Sequence, residues 1–232
     1  MKSERPELVK EPTLSAAVKE AVDLDLSVQD SIARDYVNLS KLARMLRPAV
    51  ERRIGRRVRN VEGIVTSLKR LREAYVPASD GIGRVIAGSV VNVRTHVSKL
   101  SVEKTRRTLE LVGEMLSQHH EEFIQVSESL SAITLIFDQR LHKRVRRSLG
   151  RTTVLEEGDF YAAIIVQSPP EIISTPGCVM TFYNQLARRH VNVEDTVSCH
   201  TDTIIVVKMD AVGRAFDTLT ELINGERAKL GE

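Results

Sequence analysis

The run Ala162-Ala163-Ile164-Ile165-Val166, followed by Ser168-Pro169-Pro170-Glu171-Ile172-Ile173-Ser174-Thr175-Pro176-Gly177, decides how the chain is read. Consecutive apolar residues closed by a proline-rich loop read as a buried strand leaving its sheet. Beyond the loop, Val179, Phe182, Tyr183, Leu186 and Ala187 recur at spacings of 3 and 4, which predicts a helix. The loop therefore joins a strand to a helix. Pro176 suits a helix's first turn, where a missing N–H costs nothing, and Gly177 lets the backbone come close to a ligand. Free amides at such a turn suit a carboxylate.

Working outward, Val191, Val193, Asp195 and Val197 alternate as a strand, and Thr203 to Val207 is a second β-rich run. Asp210 then starts a helix carrying Val212, Ala215, Phe216, Leu219, Leu222 and Ile223. The order β-α-β-β-α is most of a ferredoxin-like split βαβ arrangement, with both helices on one face of an antiparallel sheet. At these residues the sequence resembles the ACT domain, and most closely the regulatory ACT units of aspartate kinases. The resemblance spans Phe160 to Ile223. It rests on Pro176-Gly177 at the turn, Val191-Asn192-Val193, the strand Asp202 to Val207, Asp210, and Ala215 to Leu219. It implies an amino-acid effector whose carboxylate meets the backbone around Thr175, Pro176 (through its carbonyl only), Gly177 and Cys178. Ser174 and Val179 lie beside them, and Asn192 is the side-chain contact. It also implies a homodimer.

A similar order recurs upstream. Val91, Val93, Thr95 and Val97 alternate, Ser101 is placed to cap a helix carrying Leu109, Leu111, Val112, Met115 and Leu116, and Phe123 to Val126 starts a strand. Ser131 to Phe137 is the next strand, and Gln139 to Leu149 a basic closing helix. The expected architecture is therefore α+β, with two ferredoxin-like βαββα(β) ACT units at 89–152 and 153–226, joined through Leu155 to Asp159. The first unit reads Val97-Ser98-Lys99-Leu100-Ser101 where the second has Pro-Gly. The second is thus the expected effector site, and the first structural or dimer-forming.

Residues 1–12 read as a flexible tail, 13–76 as a helical module, and 77–88 as a linker of turn formers. Gly81-x-Gly83 in that linker is not a dinucleotide fingerprint, because Ile86 stands where the third glycine belongs. In the module, Thr13 or Ser15 is placed to cap one helix, Ser27 a second, Asn38 or Ser40 a third that Pro48 interrupts or restarts and Gly55 ends, and Asn60 a fourth. This succession resembles a winged-helix or helix-turn-helix module. DNA contacts would fall to Arg56, Arg57, Arg59, Asn60, Thr66, Lys69, Arg70 and Arg72. A basic helical module that dimerises or faces an acidic partner remains equally open.

Charge separates the two halves. Arg34 to Arg72 holds twelve basic residues against three acidic ones, in a chain of net charge +3, so the remainder is acidic. That imbalance makes a polyanion a plausible partner for the basic segment. Aromatics are 4% with no tryptophan, so aliphatic residues build the core. No apolar run reaches membrane-spanning length and Met1 to Pro12 has no signal-peptide pattern, so a cytoplasmic protein is expected. Cys178 and Cys199 form no Cys-x-x-Cys pair, and His119-His120-Glu121-Glu122 points in divergent directions on a helix. No cofactor, metal site or enzymatic activity is expected. The functional readings are an amino-acid-responsive transcriptional regulator, a regulatory subunit that docks on a metabolic enzyme, and a protein whose ACT-like units only dimerise and bind no ligand.

Overall fold

The computed structural model describes residues 12–75 and 80–231. The chain divides into two compact units, Met1–Pro77 and Ala78–Glu232. Of the expected tail only Pro12 lies within the described residues.

The first unit is built from helices α1 (Leu14–Asp23), α2 (Leu26–Ala33), α3 (Leu39–Ile54) and α4 (Glu62–Ala74). Thr13 caps α1 by accepting the Ala16 amide, and Asn38 caps α3 by accepting that of Lys41. Asp25, not Ser27, caps α2, because its carboxylate accepts the amides of both Ser27 and Val28. Pro48 neither interrupts nor restarts α3. It sits on the exposed side of the helix, so the Arg44 carbonyl deprived of a donor faces water. Gly55, at φ 68°, ends α3 in the left-handed conformation that glycine adopts without strain. Asn60 stands one residue before the N-cap of α4 and accepts the Glu62 amide at 2.9 Å. Val18, Val22, Ile32, Val50, Ile64 and Leu68 are fully buried where the helices meet. Burial, and then the Asp23 carboxylate that accepts its hydroxyl, push Tyr75 up to about 12. Residues 12–75 contain no strand, so the wing of a winged helix is absent among the described residues.

The second unit opens with helix α5 (Asp80–Ala87), where turn-forming residues had suggested a linker. Strand β1 (Val90–Glu103) follows, then α6 (Arg106–Gln118), β2 (Ile124–Glu128), β3 (Ala132–Asp138) and α7 (His142–Leu149). The same order repeats as β4 (Val154–Gln167), α8 (Cys178–Arg188), β5 (Asp195–Cys199), β6 (Asp202–Lys208) and α9 (Val212–Leu230). The strands form one antiparallel-paired sheet in the order β2-β3-β1-β4-β6-β5. The two long strands lie side by side at its centre.

Three register shifts interrupt this central pair, the first two of them reciprocal bulges and the third at Ser101/Val102. One extra residue sits in β1 between Arg94 and Val97, and one in β4 between Gly158 and Tyr161. His96 at φ 56° and Phe160 at φ 65° lie in them. Each bulge reverses the alternation beyond it. Val91 and Val93 therefore face the helices, while Val97 faces the other side with Ile136, Ala163, Ile204 and Val206. On the helix side, α6 and α7 cover Leu100, Val102, Ile133, Leu135 and Phe137, and α8 and α9 cover Ala162, Ile164, Val166, Ile205 and Val207.

On the opposite face, the Lys99 ammonium of β1 lies 3.6 Å from Asp195 of β5, three strands away, and 3.0 Å from Glu156. Burial opposes the charge on Lys99, but these carboxylates outweigh it and raise its pKa.

Several boundaries differ from the sequence reading. Ser101 lies inside β1 and Thr105 caps α6. Leu155 to Asp159 belongs to β4 rather than to a linker. Val191 and Val193 precede β5, which starts only at Asp195. The phase reversal at His96 explains the first of these, since a period of two read through a bulge loses its register.

Phe160 is 68% exposed and sits in the left-handed region, which costs a side-chain-bearing residue roughly 1 kcal/mol. Phe160→Gly is therefore expected to leave the urea midpoint unchanged or raise it, whereas β-branched Phe160→Val should lower it. A large loss with glycine would show that the ring itself is needed.

Candidate functional site

Where β4 leaves the sheet, the chain makes a short 3-10 turn at Pro170–Ile173 before α8. Gly177, at φ 93°, is the N-cap of α8, and it offers no side-chain cap to the first-turn amides. Pro176 lies before the N-cap rather than in the first turn. Thr175 donates its hydroxyl to the Glu171 carbonyl at 2.7 Å, and Ser174 makes a longer bond to the same oxygen.

Helix α5 lies along this loop, and glycines allow the approach. A Cβ on Gly88 would stand 2.6 Å from Pro169, and one on Gly81 3.2 Å from Thr175. Ile82 would meet a Cβ on Gly177 at 3.0 Å, and Glu226 of α9 would meet one on Gly83 at 2.9 Å. Gly81-x-Gly83 thus serves close packing on two sides of α5. The far end of α5 is held by Arg227, whose guanidinium donates to the carbonyls of Ala87 (2.7 Å) and Ser89 (3.0 Å). Ser89 also donates to Ser168 at the start of the loop.

Between α5 and the loop opens a cleft of 470 Å³ lined by Gly81, Arg84, Val85, Pro169, Glu171 and Thr175. Arg84, Glu171 and Thr175 line it together with the apolar Val85 and Pro169. The arrangement offers a cation for a ligand's anionic group and an anion for its ammonium.

Of the sequence-derived effector residues, Thr175 lines this cleft, while Ser174, Pro176 and Gly177 are exposed beside it. Cys178 is 1% exposed, and burial raises its thiol pKa. Val179 is half-buried on α8. Asn192 is not brought to the group within one chain. Gln167 pairs with Asp202 at the loop's end of the sheet, whereas Tyr161 pairs with Lys208 and Asp195 with Val206 at the other. Asn192 stands three residues before Asp195 at that far end, and its amide donates to Glu194. Sequence reasoning missed Arg84, because α5 was read as a linker. The spacing of seven between Gly81 and Gly88 was the available signal of a close-packed helix face.

In the first unit, Arg56, Arg57, Arg59 and Asn60 are exposed on the α3–α4 connection. Thr66, Lys69 and Arg70 are exposed on α4 at spacings of 3 and 4, together with Glu62 and Glu73. Arg72 is taken up in an ion pair with Asp35 at 2.8 Å. Among the described residues, no group of three or more His, Cys, Asp or Glu is placed to hold a metal, and no helix is long and apolar enough to cross a membrane.

No family model and no curated protein matches the chain. Among solved structures, the chain is similar to the regulatory subunit of aspartate kinase from Thermus thermophilus, with 9% identity, a TM-score of 0.48, and coverage of 57% of this chain and 95% of that one. The aspartate kinase of Clostridium acetobutylicum gives 11% identity, a TM-score of 0.48, and coverage of 58% and 34%. Aspartokinase III of E. coli in complex with lysine and aspartate gives 12%, 0.46, and coverage of 58% and 32%. This chain spans about a third of each of these two kinases.

The packing of α5 makes a paired prediction. Gly88→Ala should destabilise the protein by about 1–3 kcal/mol, because Pro169 sits on a ring-constrained backbone beside it. Gly113→Ala on α6 meets nothing within 4 Å and should stabilise by up to about 1 kcal/mol. Chemical denaturation of both variants tests the contrast.

Proposed function

We propose that residues 78–232 form a regulatory unit that binds an amino acid in the cleft between α5 and the β4–α8 loop. The observation that carries this reading is the presence of Arg84 and Glu171 on one 470 Å³ cleft. A free α-amino acid presents a carboxylate and an ammonium on one carbon. Arg84 takes the carboxylate, Glu171 the ammonium, and Thr175 a further hydrogen bond. First-turn amides at Gly177, Cys178 and Val179 add a favourable field for the anion. The twice-repeated βαββα order and the resemblance of Phe160 to Ile223 to aspartate kinase regulatory units support a non-enzymatic, effector-responsive role. On this reading 89–152 and 153–226 are two ACT-like units, and the cytoplasmic protein is a homodimer. Asn192, remote from the cleft in its own chain, then serves a ligand held by the other copy.

The output of such a regulator falls to the first unit, acting as a helix-turn-helix-like module on DNA through Arg56, Arg57, Arg59, Asn60, Thr66, Lys69, Arg70 and Arg72. A second reading has its own support. Glu62 and Glu73 share the outer face of α4 with the basic residues, and a mixed-charge face suits docking on a metabolic enzyme better than lying against phosphates.

Thermal-shift and calorimetric titration with the proteinogenic amino acids is the primary test. One amino acid is expected to bind, and at a hundredfold excess over Kd it should stabilise by about 2.7 kcal/mol. Arg84→Ala and Glu171→Gln should each weaken it by roughly tenfold or more. Absence of any hit, or a hit indifferent to both substitutions, would remove this reading.

Salt separates the two outputs. Phosphate-mediated DNA binding should fall by roughly 10³-fold or more between 50 and 200 mM salt, whereas an apolar docking interface should change little. A mobility-shift titration in the two buffers decides between them.

A further inference from the structure

We propose that the α3–α4 connection of the first unit binds the phosphate chain of a nucleoside polyphosphate. This goes beyond the amino-acid reading, involves none of the residues of that cleft, and replaces the DNA reading at Arg56, Arg57 and Arg59. A second cleft, of 430 Å³, is lined by Leu14, Ile54, Arg56, Arg57, Val58 and Arg59. Three arginines from four consecutive positions thus line one concavity.

The connection is anchored. Val58 is 8% exposed, and its amide donates to the Glu51 carboxylate at 2.8 Å, while Arg47 holds the same oxygen at 2.9 Å. Gly55 sets the direction of entry through its left-handed turn, and Asn60 closes the exit by accepting the Glu62 amide. Arg57 and Arg59 flank this buried, hydrogen-bonded residue in sequence and are themselves exposed. Neighbouring Arg47, Arg53 and Arg72 are each engaged by a carboxylate. Among the described residues, Arg56, Arg57 and Arg59 form no ion pair and remain exposed. Glu51, the nearby acid, is already satisfied by Arg47 and Val58.

A concave, triply cationic site fits a compact polyanion, since guanidinium forks match phosphate oxygens in pairs. Leu14 is half-buried at the same rim and supplies an apolar wall for a base. A duplex backbone is the poorer occupant. It would need a continuous basic strip reaching Lys69 and Arg70, and Glu62 and Glu73 interrupt that strip on α4.

The test is calorimetric titration of the full chain with ATP, GTP, tripolyphosphate and adenosine, at about 150 mM salt to suppress weak surface binding. A short DNA duplex serves as competitor. The variants are Arg57→Gln, the double substitution Arg56→Gln/Arg59→Gln, and Lys69→Gln/Arg70→Gln, each checked for an unchanged far-ultraviolet spectrum. ATP or GTP is expected to bind saturably and more tightly than tripolyphosphate, with no binding of adenosine. The two loop variants should each weaken it by roughly tenfold or more, and the α4 variant should not. Absence of saturable binding at millimolar nucleotide, or equal binding of tripolyphosphate and nucleotide, would overturn the proposal. So would duplex binding that nucleotides fail to displace and that loop and α4 variants weaken alike, because the arginines would then belong to a nucleic-acid surface. None of these outcomes touches the amino-acid cleft, which is read through Arg84 and Glu171.

Discussion

The second unit depends on the antiparallel pairing of β1 with β4. These strands are the first of each βαββα repeat, and their pairing turns two three-stranded sheets into one of six. Each repeat taken alone would present its long first strand as an unpaired edge, with a row of unsatisfied amides and carbonyls. Joined, each covers the other's edge. The reciprocal bulges at His96 and Phe160 shift the register of the pair on either side of the Val97–Tyr161 partners. On the helix-free face Val97, Ile136, Ala163, Ile204 and Val206 form a buried cluster of their own. Lys99 reaches across that face to pair with Glu156 and Asp195.

Helix α5 is the addition that gives the fold a pocket. It needs a close-packed seat, and that seat is made by glycine on both sides: Gly81 and Gly88 against the loop, Gly83 against α9. Arg227 completes the attachment by satisfying two carbonyls at the C-terminal end of α5, where a helix otherwise leaves acceptors unpaired. The cleft opens between α5 and the loop, lined by Gly81, Arg84, Val85, Pro169, Glu171 and Thr175.

The first unit shows a different economy of charge. Its helices pack through small and aliphatic side chains, which leaves the many basic residues on the surface. Several of these are spent on intramolecular pairs with Glu20, Asp35 and Glu51. Among the described residues, Arg56, Arg57 and Arg59 stay unpaired on the short connection around Val58, whose amide donates to the Glu51 carboxylate, and Arg34, Lys41, Arg44, Arg52, Lys69 and Arg70 stay unpaired elsewhere on the surface.

Much was legible in the sequence because it depends on neighbours along the chain. Apolar spacings of 3 and 4 located α8 and α9, the run Ala162 to Val166 located β4, and the caps Thr13 and Asn38 started their helices as their side-chain chemistry requires. The repeated βαββα order followed from those local signals. What the tertiary structure alone decided is non-local. The phase of β1 beyond His96 was set by a bulge that matters only once β4 lies beside it. Residues 80–87 became a helix although their glycines favour turns, because the loop and α9 accept a glycine-faced helix at close range. Arg84 therefore joined the site, and Asn192 was carried to the opposite end of the sheet by the parallel run of β4 and β5. Propensity and periodicity report what a segment prefers when read by itself. Which segments meet, and hence which charges face each other, is fixed by packing between residues far apart in the chain.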